Sequence, residues 1–296
     1  MRWKETLVKL YFYVCEDKAV QQYLGGLRMS NNYRPAFTDE EVLTIYLFGI
    51  IQQRSKVKQI YDFVKNHLPD WFPLLPSYQA FNNRLNRLYG CFELVVGSVN
   101  KKGLEQLIFT SEKVADSFPI IVAGKSRSST AKVAPGLCSK GFCSSKGLYY
   151  YGVKLHVCGI VRPSQMPMPQ TSWISGAAES DLTEARPLFE KIVDSKVYAD
   201  KIYLDSTLEM QMQQHNSQLI IPVKKKKGQL IMNAAADTYS YLVSKVRQPI
   251  ESLFNWIIEK TQIQFAQRVR SEKGLNVHVW GKFAAALLIL TNLVNP

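Results

Sequence analysis

"LYYYGVKLHVCGIV", Leu148 to Val161, is the stretch that decides the fold class. It is rich in Tyr and Val and alternates along its length, the period of a strand rather than a helix. Upstream, "LIFTSEKVADSF" also reads as a strand, and downstream "QTSWISGAA" is a third. Beyond them "LTEARPLFEKIV" reads as a helix capped by Asp181, despite Pro187. "KVYAD" is a short buried strand ending at Asp200, and "SQLIIPV" is the next. "PIESLFNWIIEK" is a helix with Ile250, Leu253, Phe254, Ile257 and Ile258 on one face. Three strands in succession, then alternating helices and strands, describe a mixed α/β sheet.

The first hundred residues read as helical. Thr38 precedes "DEEVLTIYLFGIIQQ" with Glu41 three positions on, a capping box ahead of an apolar run. "KVKQIYDFVKNHL" continues at helical spacing until Pro69, Pro73 and Pro76 break the chain. Ser77 then opens "YQAFNNRLNRLYG", whose Phe81, Leu85 and Leu88 form an apolar stripe. Its other face carries Asn82, Asn83, Arg84, Asn86 and Arg87. Arg and Asn can make bidentate contacts to guanine and adenine edges, so this is either a DNA-reading face or a plain solvated one. Two domains are expected: a helical, DNA-binding one over 1–105 and an α/β one over 106–296.

Net charge is +13 with pI ≈ 9.4. Residues 1–100 hold 12 Lys and Arg against 9 Asp and Glu, and the remainder 25 against 15. The surplus therefore sits mainly in the second block and attracts polyanions, nucleic acid above all. The longest apolar stretch, "FAAALLILTNLV" from Phe283 to Val294, is too short for a bilayer span and reads as a buried terminal helix. No signal peptide or membrane partner is expected. The five cysteines have no disulfide-framework spacing, which suits reduced thiols in a cytoplasm. A zinc site from Cys138, Cys143, His156 and Cys158 would match no common ligand spacing in its second pair.

Three carboxylates deserve comparison. Asp116, in "KVADSFPI", and Asp200 each read as the end of a short strand, where sites in such sheets gather. Glu251 reads as first-turn, two residues after Pro249. Converging carboxylates repel unless cations neutralise them, and magnesium takes oxygen ligands. Asp205 rivals Asp200, because both flank "KIYL", and spacing does not choose between them.

"VADSFPI", "YYGVKLHVCG", "YADKIYLD", "LIIPVKKKKG" and "RQPIESLFNWI" occur in the order expected of a bacterial insertion-sequence transposase. The chain resembles the DDE transposases, most closely the insertion sequence 982 group, from about residue 35 to the end. The resemblance implies a ribonuclease H-like catalytic domain with Asp116, Asp200 and Glu251 as catalytic residues and metal ligands. It thereby favours Asp200 over Asp205. A related signature has Tyr three residues before the Arg and Lys seven after the Glu. Ser244 and Ile258 stand at those positions, which leaves Arg247 as a helper and the other two roles open.

On that resemblance, two Mg²⁺ or Mn²⁺ ions would clamp a scissile phosphodiester for cleavage and strand transfer. DNA would be the partner, as terminal inverted repeats and target, bound by a homodimer in the bacterial cytoplasm. Lys154 and His156 alternate on one strand face and could reach the phosphate. Lys224, Lys225 and Lys226, in the run that continues to Lys227, could track a backbone, as could Arg268, Arg270 and Lys273. The rivals are an inactive DNA-binding derivative and a ribonuclease H-like nuclease without strand transfer.

Overall fold

Six strands form one mixed sheet around the "LYYYGVKLHVCGIV" segment, which is β3 (Leu148–Ile160). The structure is a computed structural model and describes residues 2–28, 35–107, 110–143, 147–225, 228–229 and 231–295. The chain divides into two compact units. One comprises residues 106–131 and 137–256 and contains the sheet. The other comprises 1–105, 132–136 and 257–296 and is helical.

In the sheet unit, β1 (Glu112–Gly124) pairs antiparallel with β3 along nearly its whole length. The other edge of β3 is shared by β2 (Ser139–Cys143) and β4 (Met168–Gly176), both antiparallel. Beyond β1 come two short parallel strands, β5 (Lys196–Tyr198) and β6 (Gln218–Ile220). The strand order is β2-β3-β1-β5-β6, with β4 beside β3. The sequence reading missed β2, because "SKGFC" has no alternation. Gly141 is required in it: a Cβ there would stand 2.2 Å from the Ala177 carbonyl oxygen.

Successive strand residues point to opposite faces, which sorts the covering helices. Ala115 of β1 and Cys158 of β3 join a core with Ala185 and Phe189 of α7 (Asp181–Phe189) and Leu208 and Met212 of α8 (Ser206–Gln214). On the other face Phe118 stacks against Phe254 at 4.7 Å, which brings in α9 (Ala234–Thr261). Ile250 and Leu253 of α9 are fully buried.

Three local expectations need correction. Asp116 lies inside β1 and ends no strand, because β1 runs eight residues past it to Gly124. Beyond Val114 no described strand pairs with the β5-side edge, so Pro119 is tolerated in the strand. Glu251 is not in a first turn: α9 starts at Ala234 and carries Pro249 within it. Nor is Asp181 the cap of α7; Ser180 holds that position and Asp181 is the first helical residue.

The helical unit contains α1 (Arg2–Glu16), α2 (Lys18–Leu27), α3 (Asp39–Ile51), α4 (Val57–His67), α5 (Tyr78–Arg87) and α6 (Tyr89–Glu105). It also contains α10 (Glu272–Asn276) and α11 (Lys282–Leu290), joined by a single π turn over Val277–Gly281. Every residue of α3 except Glu41 is buried, so this helix is apolar nearly all round and forms the unit's centre. The Thr38 capping box forms, with Thr38 Oγ1 accepting from the Glu41 amide at 3.2 Å. α11 packs on α3 and α6. Residues 257–296 therefore belong with the helices, where the two-block layout had put them in the α/β domain. The reason is the apolar "FAAALLIL" face, which finds helical partners.

Candidate active site

Asp116 and Asp200 come together through Arg247. The Asp116 carboxylate is carried by the middle of β1, and its Oδ1 accepts from the Ser117 amide at 2.8 Å. Asp200 follows β5 and caps a 3₁₀ turn, accepting from the Lys201 amide at 2.7 Å. Arg247 reaches from α9 to both: Nη2 lies 3.2 Å from Asp116 Oδ2 and Nη1 lies 3.7 Å from Asp200 Oδ1. Its side chain is 10% exposed, and its Nε is buried with no partner. Burial pushes the Asp116 carboxyl up to about 6, against the opposing pull of Arg247 and the Ser117 amide. Desolvation wins over the neighbouring guanidinium.

Glu251 is exposed and stands four residues after Arg247, one turn along the same face of α9. It makes no contact with either aspartate, and among the described residues no three His, Cys, Asp or Glu side chains gather at metal-binding distance. Two carboxylates already bridged by a cation suit Mg²⁺, which commonly takes one or two protein carboxylates and fills its sphere with water and phosphate. As it stands the pair holds an arginine, so a divalent ion would require the two carboxylates to turn away from Arg247.

Asp205 has another occupation. It caps α8, accepting from the Leu208 amide at 2.7 Å, and pairs with Arg186 at 2.9 Å. The backbone hydrogen bond holds its carboxyl below the usual range.

The opposite sheet face holds a second charged group that the sequence reading missed. Asp181 accepts from Ser117 Oγ at 2.9 Å and from Lys154 Nζ. Lys154 also donates to the Glu179 carbonyl. His156 is fully buried, stacked on Trp173 at 4.9 Å and bonded to Ser175 Oγ at 2.8 Å. Burial drives its pKa down to about 4. Lys154 and His156 oppose Pro119 and Ser117 in the register, so the pleat turns them away from Asp116. His156 as a DNA contact is thus corrected: it has no surface to offer. The only sequence hint of Asp181 was its place at a helix start.

The basic residues divide similarly. Arg84 binds Asp39 and the Phe37 carbonyl, and its side chain is 15% exposed, so it faces inward. Arg87 is 56% exposed, with Asp39 3.9 Å away. Lys224 and Lys225 are exposed after β6, whereas Lys226 and Lys227 lie outside the described residues. None of the five cysteines forms a disulfide.

A strand aspartate, a second after a neighbouring parallel strand and an arginine between them form the charged centre of the sheet unit. Residues 108–272, more than half of the chain, match the family described as Transposase DDE domain. The chain belongs to that family of DDE transposases. No curated protein and no solved structure is significantly similar to it. No helix among the described residues is long and apolar enough to cross a membrane.

Proposed function

We propose that the protein cleaves and rejoins DNA at the ends of its own mobile element, as a member of the insertion sequence 982 group. The bridging of Asp116 and Asp200 by Arg247, inside the family-matched segment, carries this reading. The strand order supports a ribonuclease H-like domain: long antiparallel β1, β3 and β4 lie to one side, and parallel β5 and β6 to the other. Asp116, Asp200 and Glu251 are the residues that would hold the two Mg²⁺ or Mn²⁺ ions. Metal there supplies Lewis-acid stabilisation of the phosphodiester oxygens and lowers the pKa of the attacking water or 3′-hydroxyl.

The chain's own residues do the positioning. The Ser117 and Lys201 amides orient the two aspartates before substrate arrives. Arg247 neutralises the pair, and its guanidinium is the group placed to bind a phosphate oxygen beside them. Lys154 stays with Asp181 and supports β1 from behind through Ser117. Arg87, Lys224 and Lys225 meet DNA backbone as exposed cations. Two element ends must be handled together, so the working form is a DNA-bound homodimer in the cytoplasm.

The test is a plasmid carrying the gene's own flanking DNA, incubated with Mg²⁺ or Mn²⁺. Nicks at discrete positions, lost with chelator and in Asp116→Asn, are expected, followed by joined products. Binding without cleavage in either metal would sink the enzymatic reading. Cleavage without joined products would leave a nuclease.

A further inference from the structure

Within the helical unit a groove of about 700 Å³ opens between three stretches of chain: 55–58, 78–86 and 262–282. Six cations line it, Lys56, Lys58, Arg268, Arg270, Lys273 and Lys282, and no Asp or Glu does. The whole chain has 24 acidic residues against 37 basic ones, so a wall of this size without a carboxylate is a selective arrangement.

These charges also lack internal compensation. Among the described residues Lys58 pairs with Asp62, but no ion pair involves Lys56, Arg268, Arg270 or Lys273. Arg270 Nη1 donates to the Gln267 and Val269 carbonyls, both at 2.7 Å, which fixes the guanidinium in place before any ligand arrives. Lys282 is 2% exposed and meets the Gln262 carbonyl at 3.2 Å. Like charges lining one groove repel one another, and a polyanion relieves them.

The neutral groups in the groove are those that meet bases. Asn82, Asn83 and Asn86 share one face of α5 and line it, while Arg84 on the next face turns in to Asp39. The helix face that read as a single Asn/Arg surface is therefore two surfaces. Phe265, in the same wall, is 51% exposed and offers a ring on which a base could stack. The π turn places Val277 and His278 in the lining. Such turns interrupt helices frequently at functional sites.

We propose that this groove is a DNA-binding site in which Lys56, Arg268, Arg270 and Lys273 hold the phosphate backbone and the Asn82–Asn83–Asn86 face meets base edges. The choice of DNA over RNA rests on the transposase reading above; the site itself rests on the groove.

The test is fluorescence anisotropy on the full chain, with three probes: a duplex of the gene's flanking DNA, one strand of it alone, and an RNA duplex of the same sequence. R268Q/R270Q/K273Q and, on a separate stretch, K56Q are compared with wild type, and thermal melts check folding. The triple variant is expected to weaken DNA binding about tenfold or more and to lower the salt slope by about 2–3. K56Q is expected to lower that slope by about 1. Tighter binding of either DNA form to wild type than of RNA supports the site. Affinities for DNA within about twofold of wild type in both variants, or a preference for RNA, would overturn it. Asp116→Asn run alongside separates the two readings, since lost cleavage with retained DNA affinity speaks only to the carboxylates.

Discussion

The two compact units bury charge differently. In the helical unit the buried acids are at helix starts: Asp39 and Glu40 sit in the first turn of α3, and Asp39 is matched by Arg84. Lys282 and the Asp39-bound Arg84 aside, its cations lie at the surface, and most of those in the groove have no ion-pair partner among the described residues. In the sheet unit, Asp116, Arg247, Lys154 and His156 are drawn into the protein around the middle of β1 and β3. Pulling charges out of water costs several kcal/mol per ion, so a fold keeps them where chemistry or a partner requires it. The groove cations of the helical unit lie at its surface, whereas those of the sheet unit are gathered around β1 and β3.

The largest effect that would break this contrast is catalytic. Asp200→Asn and Asp116→Asn should each lower cleavage by at least about three orders of magnitude, because several kcal/mol of charge stabilisation disappears with each ligand. Asp205→Asn should retain cleavage, since its carboxylate caps α8 and binds Arg186. Initial rates of plasmid nicking measure both. A dead Asp205→Asn beside an active Asp200→Asn would reassign the second ligand.

Next comes Arg84→Ala. Removing Arg84 leaves Asp39, 7% exposed by its side chain, with only the more distant Arg87 guanidinium, so the loss should approach the about 3–5 kcal/mol of a broken buried pair from below. Chemical denaturation should show that loss while DNA affinity changes little at temperatures where the variant is folded. A variant of native stability with lost sequence preference would restore Arg84 to a DNA-reading role.

Asp116 itself gives a smaller, pH-dependent test. Its folded pKa of about 6 lies above the ordinary 3.8, so the native state holds the proton more tightly than the unfolded chain. The associated stability is fully present below 3.8 and is lost as pH rises through 6. Asp116→Asn abolishes that loss. Relative to wild type it should gain about 2–3 kcal/mol between pH 3.5 and pH 7.5 in metal-free buffer, read by denaturant midpoints. Buried His156, with its pKa near 4, acts in the opposite sense from 6.5 downward and is common to both proteins, so it cancels in the difference. A flat difference across that range would mean Asp116 is better solvated than its burial suggests.

How much of this was legible differs between the units too. Helix starts and strand alternation are local signals, and Thr38 with Glu41 and "LYYYGVKLHVCGIV" revealed α3 and β3 directly. Asp116 and Asp200 could be paired only through resemblance, because the convergence of β1 with β5 is a non-local fact. Which face of the pleat carries Lys154 and His156 depends on register with β1, and a strand read alone leaves both faces equivalent. The α9 start was misread because Pro249 resembles a first-turn proline, while the preceding "ADTYSYLVSKV" has too weak an apolar stripe to reveal fifteen residues of helix. The basic groove was illegible as a unit: its walls lie about two hundred residues apart in sequence.

The smallest effect tests what holds the helical unit. Thr38→Ala removes the Oγ1 that accepts from the Glu41 amide and should cost about 1 kcal/mol, the ordinary value of an N-cap. Thr38→Ser should restore most of it, because the acceptor returns in the same place. Glu41 still reaches the Thr38 amide in either variant, so only half of the box is lost. The loss should be this small because α3 is secured by packing on nearly every side, and its first turn only closes the ladder. Denaturant midpoints of the three proteins decide it. A loss above about 3 kcal/mol would mean that the helix start, and not the buried faces of α3 against α1 and α11, organises this unit.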